Sequence, residues 1–184
     1  MKNIKHALSV REMAIFSMLA ALMFCSKVIM DALPNIHLLG MFIMVYTIVF
    51  RAKALIPIYL FIFMTGLYGG FGLWWIPYLY IWAILWGAAM LLPRRMPKGV
   101  AAIVYPAVCA LHGFAYGTLY APAQALIFGL DFEGMIAWII AGISFDVLHF
   151  VGNLLASLFI LPLIELLFLL SRRIGILDKP KSAP

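Results

Sequence analysis

Charged residues are scarce in this sequence. Only 11% of its 184 residues are Asp, Glu, Lys or Arg, whereas 66% are hydrophobic, and the mean hydropathy is +1.10. A soluble enzyme or binding domain with this composition could not cover its surface with polar groups, so we expect lipid to be the solvent for most of the chain. No stretch rich in Ser, Pro or charge divides the sequence, which predicts one integral membrane domain over residues 1–184.

Cysteines and catalytic motifs are also scarce. Cys25 and Cys109 both lie in apolar segments, which argues against a disulfide framework and against a cysteine metal site. The sequence has no GxxxxGK[ST] nucleotide loop, no HExxH zinc motif and no GxS nucleophile with a suitably placed base. We therefore expect no cofactor and no metal, and any ATP that powers this protein must be hydrolysed by another chain.

Long apolar runs, by contrast, fill the sequence. In lipid they should be helices, because only a helix satisfies its own backbone hydrogen bonds there. We predict an all-α bundle of six transmembrane helices near 13–30, 36–50, 55–71, 75–92, 100–120 and 142–170. The first should be a retained span rather than a cleaved signal peptide, because further spans follow it. The second and third are short for a core of about 30 Å, which predicts membrane thinning or burial against neighbours.

The last apolar tract is too long for one crossing. We expect a short surface helix at 135–140, a break near Gly142 and a kink at Pro162. Glu165, near the inner end of this tract, is expected to pair with Arg172 or Arg173.

The positions of the basic residues predict the orientation. Twelve of the thirteen Lys and Arg residues lie before span one, between spans two and three, between spans four and five, or after span six, and Lys27 is the exception. By the positive-inside rule, both termini are cytoplasmic. The charge of +6 thus indicates topology, and no nucleic-acid partner is expected. We expect a multi-pass protein of a bacterial-type plasma membrane.

Polar residues inside the predicted spans lie at mid-depth or in the outer half of the bilayer. On span six Asp146, His149, Asn153 and Ser157 recur at i, i+3, i+7 and i+11, a stripe that must face protein or water rather than lipid. Span five places a polar residue at every fourth position: His112, Tyr116, Tyr120 and Gln124. Beside them, a GxxxG motif at 113–117 permits close approach of another helix.

These faces predict one outward-opening substrate site, in which aromatic rings stack on a ligand and polar groups hydrogen-bond to it. Its candidate residues come from spans four to six, from span one and from the loop that follows span one: Asp146, His149, Asn153, His112, Tyr116, Tyr120, Gln124, Tyr78, Trp82, Trp75, Lys27, Asn35 and His37. Four of them have simpler interpretations. Lys27 could neutralise Asp31 at i+4, and His112 could be a satisfied buried group. Trp75 and Tyr78 lie where an interfacial aromatic belt would.

Small residues form a stripe on span one. Ala14, Ser17, Ala21 and Cys25 stand at i, i+3, i+7 and i+11, a spacing that lets two helices meet closely. The partner is either a helix of the same bundle or another subunit, and the spacing is equally compatible with both.

Several segments of the chain resemble one family of membrane proteins. They are the Ser17–Ala21 small-xxx-small motif and the segments 33–40, 75–82, 112–124 and 146–153. With its length, six spans and cytoplasmic ends, the chain resembles the substrate-binding S components of group II energy-coupling factor (ECF) transporters, which carry an AxxxA type motif in span one. Lys2 stands where the nickel and cobalt relatives have a Met-His signature, which argues against a metal cargo.

The resemblance implies a function and partners. The substrate site would lie near the outer surface between spans four to six, capped by the first, third and fifth loops. Span one would dock on the transmembrane T subunit and, through it, the protein would join two ATPase subunits. The protein would topple in the membrane to deliver a vitamin or a related small, planar, polar compound. The chain would then be a transport subunit and not an enzyme.

Two other functions are compatible with the sequence. One is an intramembrane enzyme that uses Asp146 and His149 as acid and base, or a metal at His112, although no third ligand or nucleophile motif supports it. The other is a helper membrane subunit that binds no ligand.

Overall fold

Helices make up most of the structure. The computed structural model describes residues 8–33 and 35–177, so that Lys2, Lys5, Lys179 and Lys181 of the topology prediction lie outside the described residues. Within these ranges eight α-helices follow one another: α1 (Val10–Ile29), α2 (Leu39–Phe50), α3 (Leu55–Gly69), α4 (Tyr78–Leu91), α5 (Lys98–Phe114), α6 (Tyr116–Phe128), α7 (Phe132–Ser157) and α8 (Ile160–Arg173). Short 3-10 turns at Arg51–Ala54 and Leu73–Trp75 precede α3 and α4.

Several helical segments are long and apolar enough to cross a membrane. Among the described residues they number five: Val10–Ile29, Leu39–Gly69, Leu73–Leu91, Lys98–Phe128 and Phe132–Ser157. The segment Leu39–Gly69 contains both α2 and α3, and Lys98–Phe128 contains α5 and α6. The all-helical fold compatible with a membrane bundle, expected from the composition, is confirmed.

Contacts along α1 give the directions of the first three helices. Phe16, near the start of α1, meets Phe50 at the end of α2, with ring centroids 5.2 Å apart. Phe24, near the end of α1, meets Tyr68 at the end of α3 at 5.5 Å. Thus α2 runs antiparallel to α1, and α3 runs parallel to it.

The short helix α2 lies at the centre of the bundle. All twelve of its residues are buried, and it packs against α4, α5, α7 and α8. At 1.5 Å per residue it is about 18 Å long, less than the hydrocarbon thickness. Because neighbouring helices surround α2, its length does not have to match the thickness of the bilayer. Of the two outcomes predicted for this short span, membrane thinning or burial, the structure shows burial. By contrast, α3 exposes large side chains such as Phe63 and Leu67.

Two arginines stabilise the turn between α2 and α3 through hydrogen bonds. Arg51, at φ 56°, donates hydrogen bonds to the carbonyl oxygens of Leu92, at 3.1 Å, and Met90 at the end of α4. Arg94 donates in return to the Val49 carbonyl near the end of α2, at 2.7 Å. Carbonyls at a helix C-terminus lack partners within the helix and favour a nearby cation. This exchange stabilises both helix ends at the side of the bundle where α1 begins.

The glycines of the GxxxG motif bring α5 and α6 close to α7. A Cβ atom on Gly113 would lie 2.7 Å from Asn153 Nδ2 and 2.9 Å from the His149 carbonyl oxygen. A Cβ atom on Gly117 would collide with the Asp146 carboxylate. The prediction that this motif permits close helix approach is therefore confirmed.

We expect Gly113→Ala to destabilise the protein by about 1–3 kcal/mol, because the added methyl overlaps backbone atoms of α7 that cannot move independently. Thermal unfolding in detergent should show a lower midpoint. Gly87→Ala in α4 is the matched control, since a Cβ there meets nothing within 4 Å. It should be neutral or slightly stabilising, and equal losses from both variants would contradict the packing argument.

The last third of the chain differs from the prediction. No separate helix forms at 135–140 and no break occurs at Gly142, because α7 runs continuously through both, from an N-terminus where Asp131 accepts the Gly134 N–H at 2.8 Å. The interruption comes instead at 158–159, ahead of α8. Pro162 has no N–H to donate to the Leu158 carbonyl oxygen, so one of the i to i−4 hydrogen bonds of the helix is missing at that point.

The predicted span 100–120 is also interrupted and longer than expected. It consists of α5 and α6, which meet at Ala115 and extend the helical segment to Phe128. Gly117 N–H donates to Asp146 Oδ1 at 2.8 Å. Because that N–H serves α7, it does not continue the i to i−4 ladder, which is the physical reason for the interruption.

Glu165 pairs with a residue other than the one predicted. Its carboxylate lies 2.7 Å from Lys98 Nζ, at the start of α5, and Arg172 lies instead over the ring of Phe168 at 5.4 Å. The pairing with Arg172 or Arg173 expected from the sequence is therefore wrong. The first turn of α5 packs beside α8. Lys98 therefore binds the Glu165 carboxylate in place of the arginines two turns further along α8.

Candidate functional site

The polar stripe of α7 faces the protein. Asp146, His149, Asn153 and Ser157 are all buried, with His149 only 1% exposed, whereas the neighbouring Phe145 is 51% exposed. The helix thus presents its polar side chains inward and its apolar ones outward, as the cost of polar groups in lipid requires. This orientation confirms the prediction for the stripe.

One cavity lies where the α1–α2 loop meets α4, α6 and α7. We call it the histidine cavity; its volume is about 270 Å³, and its lining residues are Lys27, Met30, Asp31, Leu33, Asn35, Ile36, His37, Tyr78, Tyr116 and His149. Six of the residues predicted for the substrate site are among them. They come from four separate parts of the chain, and only the tertiary fold brings them together.

Two imidazoles of the histidine cavity carry polar atoms without partners. His37 Nδ1 and both ring nitrogens of His149 are buried and make no hydrogen bond to any described residue. The two rings lie 4.7 Å apart, edge to face. Buried polar atoms in proteins are almost always hydrogen-bonded, so these nitrogens are free to bond to a polar ligand or to water.

A layer of aromatic rings lies against the histidine cavity. The Trp82 indole is 5.6 Å from the Tyr116 ring, 5.7 Å from the Tyr78 ring and 5.7 Å from the His37 imidazole. Trp82 Nε1 is buried and has no partner among the described residues. His112 lies behind Trp82 at 5.9 Å, and its Nε2 is 3.1 Å from the Ile81 carbonyl oxygen. Such rings give a ligand a large stacking surface with few flexible bonds.

A second cavity adjoins the first. We call it the aspartate cavity; it measures about 330 Å³ and is lined by Asn35, Tyr116, Gly117, Tyr120, Trp138, Gly142, Phe145 and Asp146. The Tyr120 and Trp138 rings stack across it, with centroids 5.9 Å apart and an interplanar angle of 16°. Ligand pockets for small molecules typically measure about 300–1,000 Å³, so the aspartate cavity is at the small end of that range and the histidine cavity is slightly below it.

Asn35 and Tyr116 belong to both cavities and therefore separate them. Asn35 holds a left-handed backbone conformation, φ 57°, in the α1–α2 loop, and its Nδ2 donates to the Phe145 carbonyl oxygen at 3.3 Å. This exposed hydrogen bond connects the loop to α7.

Lys27 pairs with Asp31, as the simpler interpretation of the sequence expected, and it also lines the histidine cavity. Its Nζ pairs with Asp31 Oδ1 at 3.1 Å, and both residues line the histidine cavity. The Asp31 side chain is 65% exposed, so the pair stays in contact with solvent. An ion pair at such a position is weak, and a charged ligand group can compete for either partner.

Asp146 has a structural role that the sequence does not reveal. Through its bond to the Gly117 N–H, near the start of α6, it caps that helix from α7. A carboxylate at a helix N-terminus satisfies an orphan donor and interacts favourably with the helix dipole. The same side chain lines the aspartate cavity, so capping and ligand contact are compatible.

Other predicted site residues lie outside both cavities. Asn153 is buried deeper in the bundle, where its Nδ2 donates to the Cys109 carbonyl oxygen at 3.1 Å. Trp75 turns towards α3 and donates to the Ile62 carbonyl oxygen at 2.8 Å. Gln124, half-buried on α6, lines neither cavity.

Sequence reasoning missed Trp138, Gly142 and Phe145. Trp138 and Gly142 continue the α7 stripe towards its N-terminus, with Trp138, Gly142, Asp146 and His149 at i, i+4, i+8 and i+11. Periodicity could therefore have identified these two residues, had a break not been expected at Gly142. Phe145 is off this register, and no sequence signal indicates it.

The small-residue stripe of α1 points away from the bundle. Ala14, Ser17 and Cys25 are exposed and Ala21 is half-buried, whereas Phe16 on the opposite face is fully buried. Of the two predicted partners, a helix of the same bundle does not cover this stripe within the described residues.

The chemistry available at the two cavities is stacking and hydrogen bonding. Asp146 and His149 line different cavities, and the His149 ring nitrogens have no partner among the described residues, so the two side chains do not hydrogen-bond to each other. Within residues 8–33 and 35–177 no three His, Cys, Asp or Glu side chains are close enough to hold a metal ion. Comparison with protein-family models, with curated proteins and with solved structures gives no match to this chain.

Proposed function

We propose that this protein is the substrate-binding subunit of an ATP-driven ECF-type importer. It would cross a bacterial-type plasma membrane six times, with both ends in the cytoplasm, and take up a vitamin or a related small, planar, polar compound. The observation that carries this proposal is the histidine cavity, where imidazole nitrogens of His37 and His149 lack hydrogen-bond partners among the described residues and lie beside the rings of Tyr78 and Tyr116.

The chemistry of this cavity favours a flat ligand with hydrogen-bonding edges. A neutral imidazole offers one donor and one acceptor, so His37 and His149 together can recognise both kinds of polar atom. Tyr78 and Tyr116 supply ring surfaces on which a planar compound stacks. The Lys27–Asp31 pair at the rim can accommodate a zwitterionic or neutral compound without leaving a net charge buried.

Partner subunits would bind to α1. Its exposed small stripe, Ala14, Ser17, Ala21 and Cys25, permits the close helix approach that membrane interfaces use. In the proposed assembly a transmembrane T subunit packs on this stripe and links the protein to two ATPase subunits. The polar cavities lie towards the other end of α1, so docking and ligand binding would use separate surfaces.

Mass spectrometry of the purified protein tests the proposed function. We expect a small aromatic or heterocyclic compound to co-purify at about one molecule per chain, and to quench or shift Trp fluorescence when it is added back to stripped protein, because Trp82 lies against the cavity. If no compound co-purifies and none from a library of vitamins binds, the chain is a helper subunit without a ligand. Chemical conversion of a bound compound or lipid would instead favour the intramembrane enzyme.

A further inference from the structure

The seam between α1 and α8 carries a basic groove at the end where α1 begins. This groove has a volume of about 590 Å³ and is lined by Arg11, Ala14, Ile15, Arg172, Arg173, Ile174 and Gly175. Arg11 Nη1 donates to the Ile174 carbonyl oxygen at 3.3 Å, which places its guanidinium at the groove and connects the two helices. Three arginine residues therefore line one depression.

Among the described residues, the carboxylates at this end of the bundle do not neutralise the positive charge of this groove. At this end of the bundle Glu12 pairs with Lys53, and Glu165 pairs with Lys98. Within residues 8–33 and 35–177 no carboxylate lies within 4.0 Å of a guanidinium nitrogen of the groove. Arginine recognises a phosphate through two parallel hydrogen bonds, so the groove is suited to a phosphate group.

An apolar groove continues along the same seam. It measures about 160 Å³ and is lined by residues of α1, α2 and α8: Leu19, Leu22, Phe42, Val45, Tyr46, Leu163, Leu166, Leu167 and Leu170. The Tyr46 hydroxyl, the polar group among these side chains, already donates to the Leu19 carbonyl oxygen at 3.2 Å. The surface of this groove offers contact for hydrocarbon.

The order of the two grooves matches the order of groups in a phospholipid. Along α1, the basic groove ends at Ile15 and the apolar groove begins at Leu19, one helical turn or about 6 Å further into the bundle. Along α8 the order of the grooves is reversed. The leucines of the apolar groove, Leu163 to Leu170, come first, and Arg172 of the basic groove follows them. A phosphate at the arginines would therefore have its acyl chain directed into the apolar groove.

We propose that an anionic phospholipid binds along the α1–α8 seam, with its headgroup phosphate on Arg11, Arg172 and Arg173 and an acyl chain against the leucines of α1 and α8. Basic pockets between helices at a membrane surface hold anionic headgroups through charge, while hydrocarbon contact adds affinity for the lipid over a free anion. The seam borders the small stripe of α1 through Ala14 but does not include the histidine or aspartate cavity. The lipid site is therefore separate from the two cavities proposed for the ligand, and it shares Ala14 with the stripe proposed for docking.

Native mass spectrometry of the detergent-purified protein tests this site with phosphatidylglycerol and phosphatidylcholine as probes. We expect the wild type to retain phosphatidylglycerol preferentially. The double variant Arg172→Gln, Arg173→Gln should bind it roughly 30-fold more weakly, since each basic residue near the headgroups contributes about a fivefold effect. Arg95→Gln is the matched control, because Arg95 is an exposed arginine that lies outside the groove.

The acyl chain is tested separately. Leu22 is 50% exposed, so Leu22→Trp should fold and fill the apolar groove, and it should reduce phosphatidylglycerol retention, whereas Leu155→Trp on the exposed face of α7 should not. Equal retention of phosphatidylcholine, or an equal loss in Arg95→Gln, would overturn the proposal. Displacement of the lipid by soluble glycerol phosphate at similar concentration would also overturn it, because the site would then bind a free anion.

Discussion

Replacing His149 by alanine is expected to weaken binding of the proposed ligand by a factor of about 5 to 150. The ligand's polar group would be left without a partner in a buried site, which costs about 1–3 kcal/mol. His149 is almost fully buried, lines the histidine cavity and has both ring nitrogens unpartnered by described residues. Isothermal titration of ligand-stripped protein measures the affinity. His149→Gln, which keeps a donor and an acceptor, should retain more affinity than alanine.

Glu165→Ala is the control for this experiment. Glu165 lies on α8, more than half exposed and paired with Lys98, remote from both cavities, so its removal should leave the affinity nearly unchanged. Asp146→Ala should behave differently from either variant, since it also removes the cap of α6 and lowers the unfolding midpoint. If Glu165→Ala weakened binding while His149→Ala did not, the histidine cavity would not be the ligand site.

Enlarging the small stripe of α1 is expected to reduce the proposed transport without affecting ligand binding. Ser17→Trp places an indole on an exposed position, and Ala21→Trp on a half-buried one, of the face where a partner helix needs close approach. We expect uptake in cells to fall by a factor of about 5 to 150, because overlap at a packed interface costs about 1–3 kcal/mol. The affinity of the purified protein for its ligand should remain at the wild-type value, since neither residue lines the histidine or the aspartate cavity.

The control is again Leu155→Trp, a substitution of the same size on an exposed part of α7. It should preserve both uptake and ligand binding. A parallel loss of uptake and affinity in Ala21→Trp would show that the stripe supports the bundle itself, which would refute the assignment of α1 to a partner subunit. Pull-down of the T subunit from membranes, reduced in Ala21→Trp but not in Leu155→Trp, would locate the defect in assembly.

Local sequence patterns predicted most of the helical fold and the faces that point inward. Lipid offers no hydrogen-bond partners to the backbone, so an apolar run of sufficient length has to be a helix. Lipid also penalises exposed polar side chains, so the spacing of Asp146, His149 and Asn153 was enough to predict the buried face of α7. The GxxxG motif at 113–117 identified the tightest helix approach for a similar reason, because only glycine leaves room for it.

Only the tertiary structure decided which group each polar residue contacts. Asp146 caps α6 and interrupts the helical ladder at Ala115, and Glu165 pairs with Lys98 instead of an arginine on its own helix. Gly142 does not break α7, since glycine inside a helix costs only about 1 kcal/mol and the packed bundle exceeds that penalty. The spacing of polar and apolar residues predicts which face of a helix contacts lipid and which contacts protein, and this needs only the sequence. The choice of partner depends on distances between segments far apart in the chain, which are set only when the helices pack.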